Sequence, residues 1–171
     1  MSLVKLEANE LAVQSALAAK VKSLQRPRPL LLAIGEHLAE TTRMRFVESR
    51  APDGSRWASN SQTTMERYIG ERGGYSKKTG RIISRGAALA QNKKPLVGAT
   101  RQLGSQILYQ ATDAVLQVGS NRIQAAVMQY GADKGSLGGG APWGDIPARP
   151  YLGLSAGDRS AIVELIAGYL E

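Results

Sequence analysis

Residues 104 to 129 read "GSQILYQATDAVLQVGSNRIQAAVMQ", and whether they pair as strands decides the architecture of everything around them. From 104 to 111, Ile107, Tyr109 and Ala111 alternate with Gln106, Leu108 and Gln110, the period-two pattern of a half-buried strand. Residues 114 to 119, "AVLQVG", and 123 to 129, "IQAAVMQ", carry enough Val, Leu and Ile to continue the sheet. "GSNR" at 119 to 122 supplies a hairpin turn between the last two runs, and Thr112 and Asp113 join the first two. The economical expectation is a three-stranded antiparallel meander, within a small sheet of about three to four strands.

On the N-terminal side of this stretch the spacing predicts helices. Val13, Leu17, Val21 and Leu24 mark one over about residues 6 to 24, with Glu7 and Glu10 early and Lys20 and Lys22 late, an order that suits the helix dipole. "RPRP" at 26 to 29 breaks it, and a second, long helix is expected from about Leu30 to Ser49. Its apolar face runs through Leu30 or Leu31, Ile34, Leu38, Thr41 or Thr42, and Met44 or Phe46. Pro52 is expected to stop it, Asp53 and Gly54 supply turn chemistry, and Trp57 offers a large apolar anchor. On the C-terminal side, Ser155 and Asp158 form an approximate capping box that opens a last helix with Ile162, Ile166, Tyr169 and Leu170 on its apolar face.

The expected fold class is therefore α+β. A small antiparallel sheet is packed by a long helix and a C-terminal helix within a single domain spanning residues 1–171. Two long flexible loops interrupt it. One is a mobile cationic excursion at about 59–93, in which 59 to 69 and "ISRGAALAQ" are candidate short helices; the other is the Gly-rich stretch at about 131–145.

A chain of 171 residues can bury roughly 70% of the surface its unfolded form exposes. It is 43% hydrophobic and 21% charged, and no apolar run approaches the roughly 18 residues needed to cross a bilayer, so no membrane partner is expected. It has no cysteine, and "MSLVKLEANEL" is acidic where a signal peptide is apolar, which fits synthesis in a reducing cytoplasm. The net charge is +8, and the eight cations Arg72, Lys77, Lys78, Arg81, Arg85, Lys93, Lys94 and Arg101 lie in an interval free of acidic residues. Such a block either binds a polyanion or is a solvated surface that meets an acidic protein. It lacks the interleaved aromatics of a nucleic-acid reader.

Catalytic constellations are nearly absent. The single histidine, His37, lies beside the apolar stripe of the long helix with no nucleophile elbow in the chain, so it reads as a structural residue. Metal ligation by His and Cys clusters is excluded by count, and no cofactor is expected. Glu36 and Glu40 share a helix face with Arg43 and read as solvated. The glycines of "GSLGGG" at 135 to 140 match no phosphate-binding spacing. Trp143, in the same loop, has no local core to enter, and either docks on another surface or folds back onto its own domain.

Pro147 and Pro150 hold residues 146 to 151 extended and keep Arg149 on a stiff segment. Tyr151, Leu152 and Leu154 are expected to pack on the core. Arg149 either bonds within its own chain or meets a neighbouring subunit.

Three stretches in this order, "RFVESRAPDGSRW" at 45 to 57, "VMQYGA" at 127 to 132 and "IPARPYLGLS" at 146 to 155, resemble the phage virion morphogenesis family, the tail-completion proteins of contractile-tailed and Mu-like phages and prophages. The likeness extends more loosely over 94 to 121, departing where Thr100 to Leu103 replace a Thr-Gly-x-Leu step and where Met128 replaces a histidine. What the resemblance implies is a non-enzymatic structural protein with a fold like those of tail-terminator and neck proteins. It would complete the tail as a homo-oligomeric ring and prepare it for head joining. Implied partners are further copies of itself, tail tube or sheath and head-neck proteins, with weak contact to DNA passing through the channel. The implied location is the virion tail or neck. Candidate interface residues are Trp57, Lys77, Lys78, Arg81, Arg85, Trp143, Arg149 and Tyr151. The alternative function is non-sequence-specific nucleic-acid binding through the 72–112 cationic segment.

Overall fold

A 21-residue helix, α1 (Arg28–Glu48), organises the chain. The structure is a computed structural model that describes residues 14, 15, 18–21, 25–98, 100–136 and 144–171. After α1 come α2 (Gln62–Glu71), α3 (Ser84–Asn92), α4 (Gln102–Ser105), β1 (Leu108–Ala111), β2 (Leu116–Gly119), α5 (Ala125–Tyr130) and α6 (Ala156–Leu170). Of the expected first helix, residues 14, 15 and 18–21 are helical and the remainder lies outside the described residues.

Pro29 sits in the first turn of α1, where no intrahelical amide is required. The helix stops at Ser49, three residues before Pro52, because Ser49 turns left-handed (φ 57°, ψ 46°) while its amide closes on the Arg45 carbonyl. The buried stripe runs through Ile34, Gly35, Ala39, Thr42, Arg45 and Phe46, whereas Met44 is exposed. Small residues on this stripe let the strands come close. A Cβ on Gly35 would lie 2.6 Å from Tyr109 Cδ2 and 2.8 Å from Leu116 Cδ1.

The sheet is smaller than the alternation suggests: two antiparallel strands among the described residues, not three or four. β1 pairs with β2 in a register that sets Leu108 opposite Gly119 and Ala111 opposite Leu116. The turn between them closes through the Thr112 amide on the Val115 carbonyl at 2.9 Å. Residues 123 to 129 do not form the third strand, and "GSNR" is not a hairpin turn; Ala125–Tyr130 is the helix α5. Ala, Met and Gln favour helix, and the core takes Ala125 and Met128, three residues apart, where a strand would offer alternate positions. Ile123, just before it, is almost fully exposed. Residues 102 to 105, assigned partly to the first strand, are also helical.

The ribbon packs on α1, and α6 packs on the same helix with no substantial contact to the ribbon, so among the described elements it is α1 that covers the sheet. The core between α1, α4 and the C-terminal strap gathers Phe46, Trp57 and Tyr151. The Phe46 ring meets Trp57 edge-on at 5.2 Å and Tyr151 at 5.3 Å, with Ala39, Ala51, Leu103 and Ile107 around them.

The interval from 59 to 93 contains α2 and α3, which pack on each other and make no substantial contact with α1, the ribbon or α6. Ser61 caps α2 by accepting the Thr64 amide. Between the helices the chain makes a hairpin, closed by a bridge between Tyr75 and Ile82. It is pinned so tightly to α3 that a Cβ on Gly86 would lie 2.2 Å from the Gly74 carbonyl oxygen. Of the Gly-rich loop, residues 137–143 lie outside the described residues. Its base is closed by Ala132 and Ile146, each amide donating to the other's carbonyl at 2.9 and 2.7 Å.

Candidate functional site

The three stretches singled out in the sequence are far apart along the chain and meet at one junction. The extended strap from Ile146 to Gly153 lies between the turn that follows α1 and the helix α5. Its backbone is read by side chains from both. Gln129 of α5 accepts the amides of Tyr151 and Leu152 on Oε1, both at 3.0 Å, and returns its Nε2 to the Leu152 carbonyl at 3.0 Å. Trp57 donates its indole N–H to the Pro150 carbonyl at 2.7 Å. The Arg149 amide reaches Met128 O at 2.9 Å, and the Tyr151 hydroxyl reaches Ala125 O at 3.2 Å. Two prolines remove amides from the strap, and most of its remaining backbone polar groups find partners in the turn after α1, in α5 or in Arg45.

Arg45, inside α1, faces the end of the strap. Its Nη1 donates to the carbonyls of Tyr151 and Gly153 at 2.8 and 2.9 Å, and its Nη2 donates to Asp158 Oδ2 at 2.5 Å. Asp158 is the third residue of α6, and the expected capping box with Ser155 is present in full. Burial by itself raises the Asp158 carboxyl. The Ser155 amide and hydroxyl, the Thr41 hydroxyl and the Arg45 guanidinium outweigh it and hold the group below its usual range. His37 Nε2 stands 3.4 Å from the other carboxylate oxygen without completing a hydrogen bond.

Ser155, Asp158 and His37 thus share one corner, but the Ser155 hydroxyl bonds to the carboxylate rather than to the imidazole. The imidazole is not placed to take the hydroxyl proton, so the trio is not a Ser–His–Asp relay. Among the described residues no group of three or more His, Cys, Asp or Glu is placed to hold a metal, and no helix is long and apolar enough to cross a membrane. Neither Arg45 nor Gln129 stands out by composition or spacing; their signal in the sequence is membership of "RFVESRAPDGSRW" and "VMQYGA".

The candidate interface residues separate into two groups. Trp57, Arg149 and Tyr151 are buried in the junction. Arg149 donates Nε to Ala58 O at 2.8 Å and Nη2 to Ser59 O at 2.7 Å, which ties the strap to the chain entering α2. Burial lowers its guanidinium from the ordinary value, and it remains charged. An Arg149→Ala chain is expected to lose about 1.5–3 kcal/mol, the range for hydrogen bonds made by a charged donor, measured by urea unfolding. An unchanged unfolding midpoint would show that the two carbonyls do not hold this arginine.

Lys77, Lys78, Arg81 and Arg85 are exposed on the hairpin and the start of α3. Trp143 lies outside the described residues. Other cations of the block serve the chain's own fold. Arg72 stacks 4.0 Å above the Tyr68 ring, Lys93 donates to the Val97 carbonyl, and Lys94 donates to Val47 O at 2.6 Å. Burial, then the neighbouring Arg72, pushes the Lys93 ammonium down. The block is therefore not one continuous basic stripe, and its unpaired charge concentrates on the hairpin.

The model of the phage virion morphogenesis family matches residues 5–171. No curated protein and no solved structure matches the chain significantly.

Proposed function

Because the chain belongs to the phage virion morphogenesis family, we propose that it is a structural protein of the virion that completes the tail and prepares it for head joining, acting as a homo-oligomeric ring without catalytic turnover. The observation that carries this reading is the extent of the family match, which takes in the junction, the arm and both flanking helices. The residues that make the resemblance distinctive, Arg45, Trp57, Gln129, Arg149 and Tyr151, are engaged in holding the strap. They are the scaffold of the subunit, and among the described residues the surfaces open to assembly include the arm of α2 and α3 and the faces of α1 and α6.

In this reading the protein is made in the host cytoplasm and takes its place at the tail or neck, in a subunit arrangement of the tail-terminator kind. Its partners are its own copies and the tail tube or sheath and head-neck proteins. DNA in the channel touches it weakly, since a lining that must release DNA cannot neutralise many phosphates. Electron microscopy of particles from a deletion lysate tests the proposal. Separate heads and unfinished or aberrant tails are expected, with recovery on adding back the protein; head-joined infectious virions in its absence would overturn it.

A further inference from the structure

The hairpin between Tyr75 and Ile82 is a compact projection. Ser76 donates its amide to Arg81 O at 2.9 Å, and Gly80 donates to Ser76 O at 2.8 Å. Lys77 and Lys78 stand at its tip, Arg81 on its return and Arg85 in the first turn of α3; all four are exposed and none has an ion pair among the described residues. Beside them Ile82 and Ile83 are 48% and 40% exposed. Two apolar side chains set among four unpaired cations form a surface for a partner that is apolar in the middle and acidic at the rim.

The chain itself carries such a surface. α1 and α6 leave between them an open groove of about 800 Å3, with Leu30, Ala33, Ala161 and Leu165 on its floor and Glu36 and Glu164 at its rim. Through His37 the groove adjoins a second hollow of about 500 Å3 whose lining includes Glu40 and Glu48 together with Arg50, which donates to Gly54 O at 2.7 Å. Glu36, Glu48 and Glu164 have no ion pair among the described residues, and Glu40 meets only Arg43. No residue of the arm lines either hollow, so the hairpin does not cover the groove of its own chain.

We infer that the hairpin of one copy docks into the α1–α6 groove of a second copy, head to tail, with Ile82 and Ile83 on the apolar floor and Lys77, Lys78, Arg81 and Arg85 facing the carboxylates. The inference rests on the self-assembly in the proposed function and adds which surfaces meet. Used head to tail the contact is heterologous, and where its rotation closes it makes a ring. The apolar floor supplies affinity, and the charges set register and speed of association. Raising ionic strength from about 0.05 to about 0.5 M shortens the screening length from roughly 14 to 4 Å, so assembly weakens with salt.

A charge exchange tests it, read by sedimentation velocity of the purified full chain. The wild type is expected to form species larger than a dimer at low salt that dissociate at high salt. Lys77→Glu with Lys78→Glu, and separately Glu36→Lys with Glu164→Lys, are each expected to weaken self-association by about tenfold or more. All four positions are exposed or at a groove rim, and thermal unfolding checks that the variants fold; Ile82→Ser with Ile83→Ser is a second, uncharged route to the same loss. Mixing the two charge variants is expected to restore assembly in part, because the unaltered hairpin of one meets the unaltered groove of the other and the two altered surfaces no longer repel. A monomeric wild type, a wild type that stops at a two-fold dimer, association indifferent to both reversals, or no recovery on mixing would each overturn the contact. So would DNA binding by the hairpin with self-association unaffected when the groove is reversed. A protein needed for tails whose assembly ignores the exchange removes this interface and leaves tail completion standing; normal virions without a protein that forms charge-dependent rings does the opposite.

Discussion

An Arg45→Met chain is expected to lose about 3–5 kcal/mol, the cost of removing one partner from a buried ion pair. Arg45 is 6% exposed and Asp158 is 2% exposed, so neither charge can turn to water when the other is removed. The substitution also orphans the carbonyls of Tyr151 and Gly153. Against a total stability of about 5–15 kcal/mol, that loss brings the folded state near its limit, and urea unfolding measures it. Asp158→Asn keeps the shape and the Ser155 contacts but removes the charge, and is expected to cost less. A wild-type unfolding midpoint in Arg45→Met would show that the strap is held without this arginine.

The same network sets a pH dependence. The folded-state pKa of Asp158 lies below its unfolded value, which is about 3.9. Its stabilisation is therefore complete above that pH and is lost as pH falls through the folded pKa. Thermal unfolding of the wild type should steepen below about pH 4, and Asp158→Asn should remove that part of the slope.

Tyr151→Ala is the second large expected effect, about 3–5 kcal/mol, in the range for truncating a buried aromatic. Tyr151 is 1% exposed and packs on Phe46, while its hydroxyl reaches α5. Tyr151→Phe separates the two contributions: losing the hydroxyl bond to Ala125 O costs about 1 kcal/mol, and the remainder is packing. If Tyr151→Phe were as damaging as Tyr151→Ala, the hydroxyl rather than the ring would be holding α5 to the strap.

Legibility varied with the range of the interactions involved. The long helix and its end near Ser49 were readable because capping and periodicity act within a few residues. The capping box of α6 was readable for the same reason. Residues 123 to 129 were not, because their apolar residues fit either a strand or a short helix, and what decided was that the core offers places to Ala125 and Met128 while Gln129 finds the strap backbone. The candidate junction was visible as three separate stretches. Their meeting was not, since no local pattern says that Trp57 will donate to Pro150 or Gln129 to Leu152. For Arg149 the sequence allows a partner in its own chain or in a neighbour; the structure gives it Ala58 and Ser59.

By itself the sequence determined the family, the helical frame, the stiffness of the strap and the concentration of positive charge between 72 and 101. Tertiary structure decided which of those cations stay unpaired, that the ribbon has two strands among the described residues, and that Arg45 and Asp158, 113 residues apart, form one buried pair. The division is physical. Helix ends and proline geometry depend on neighbours along the chain, whereas a buried charge is tolerated only where a distant segment brings its partner.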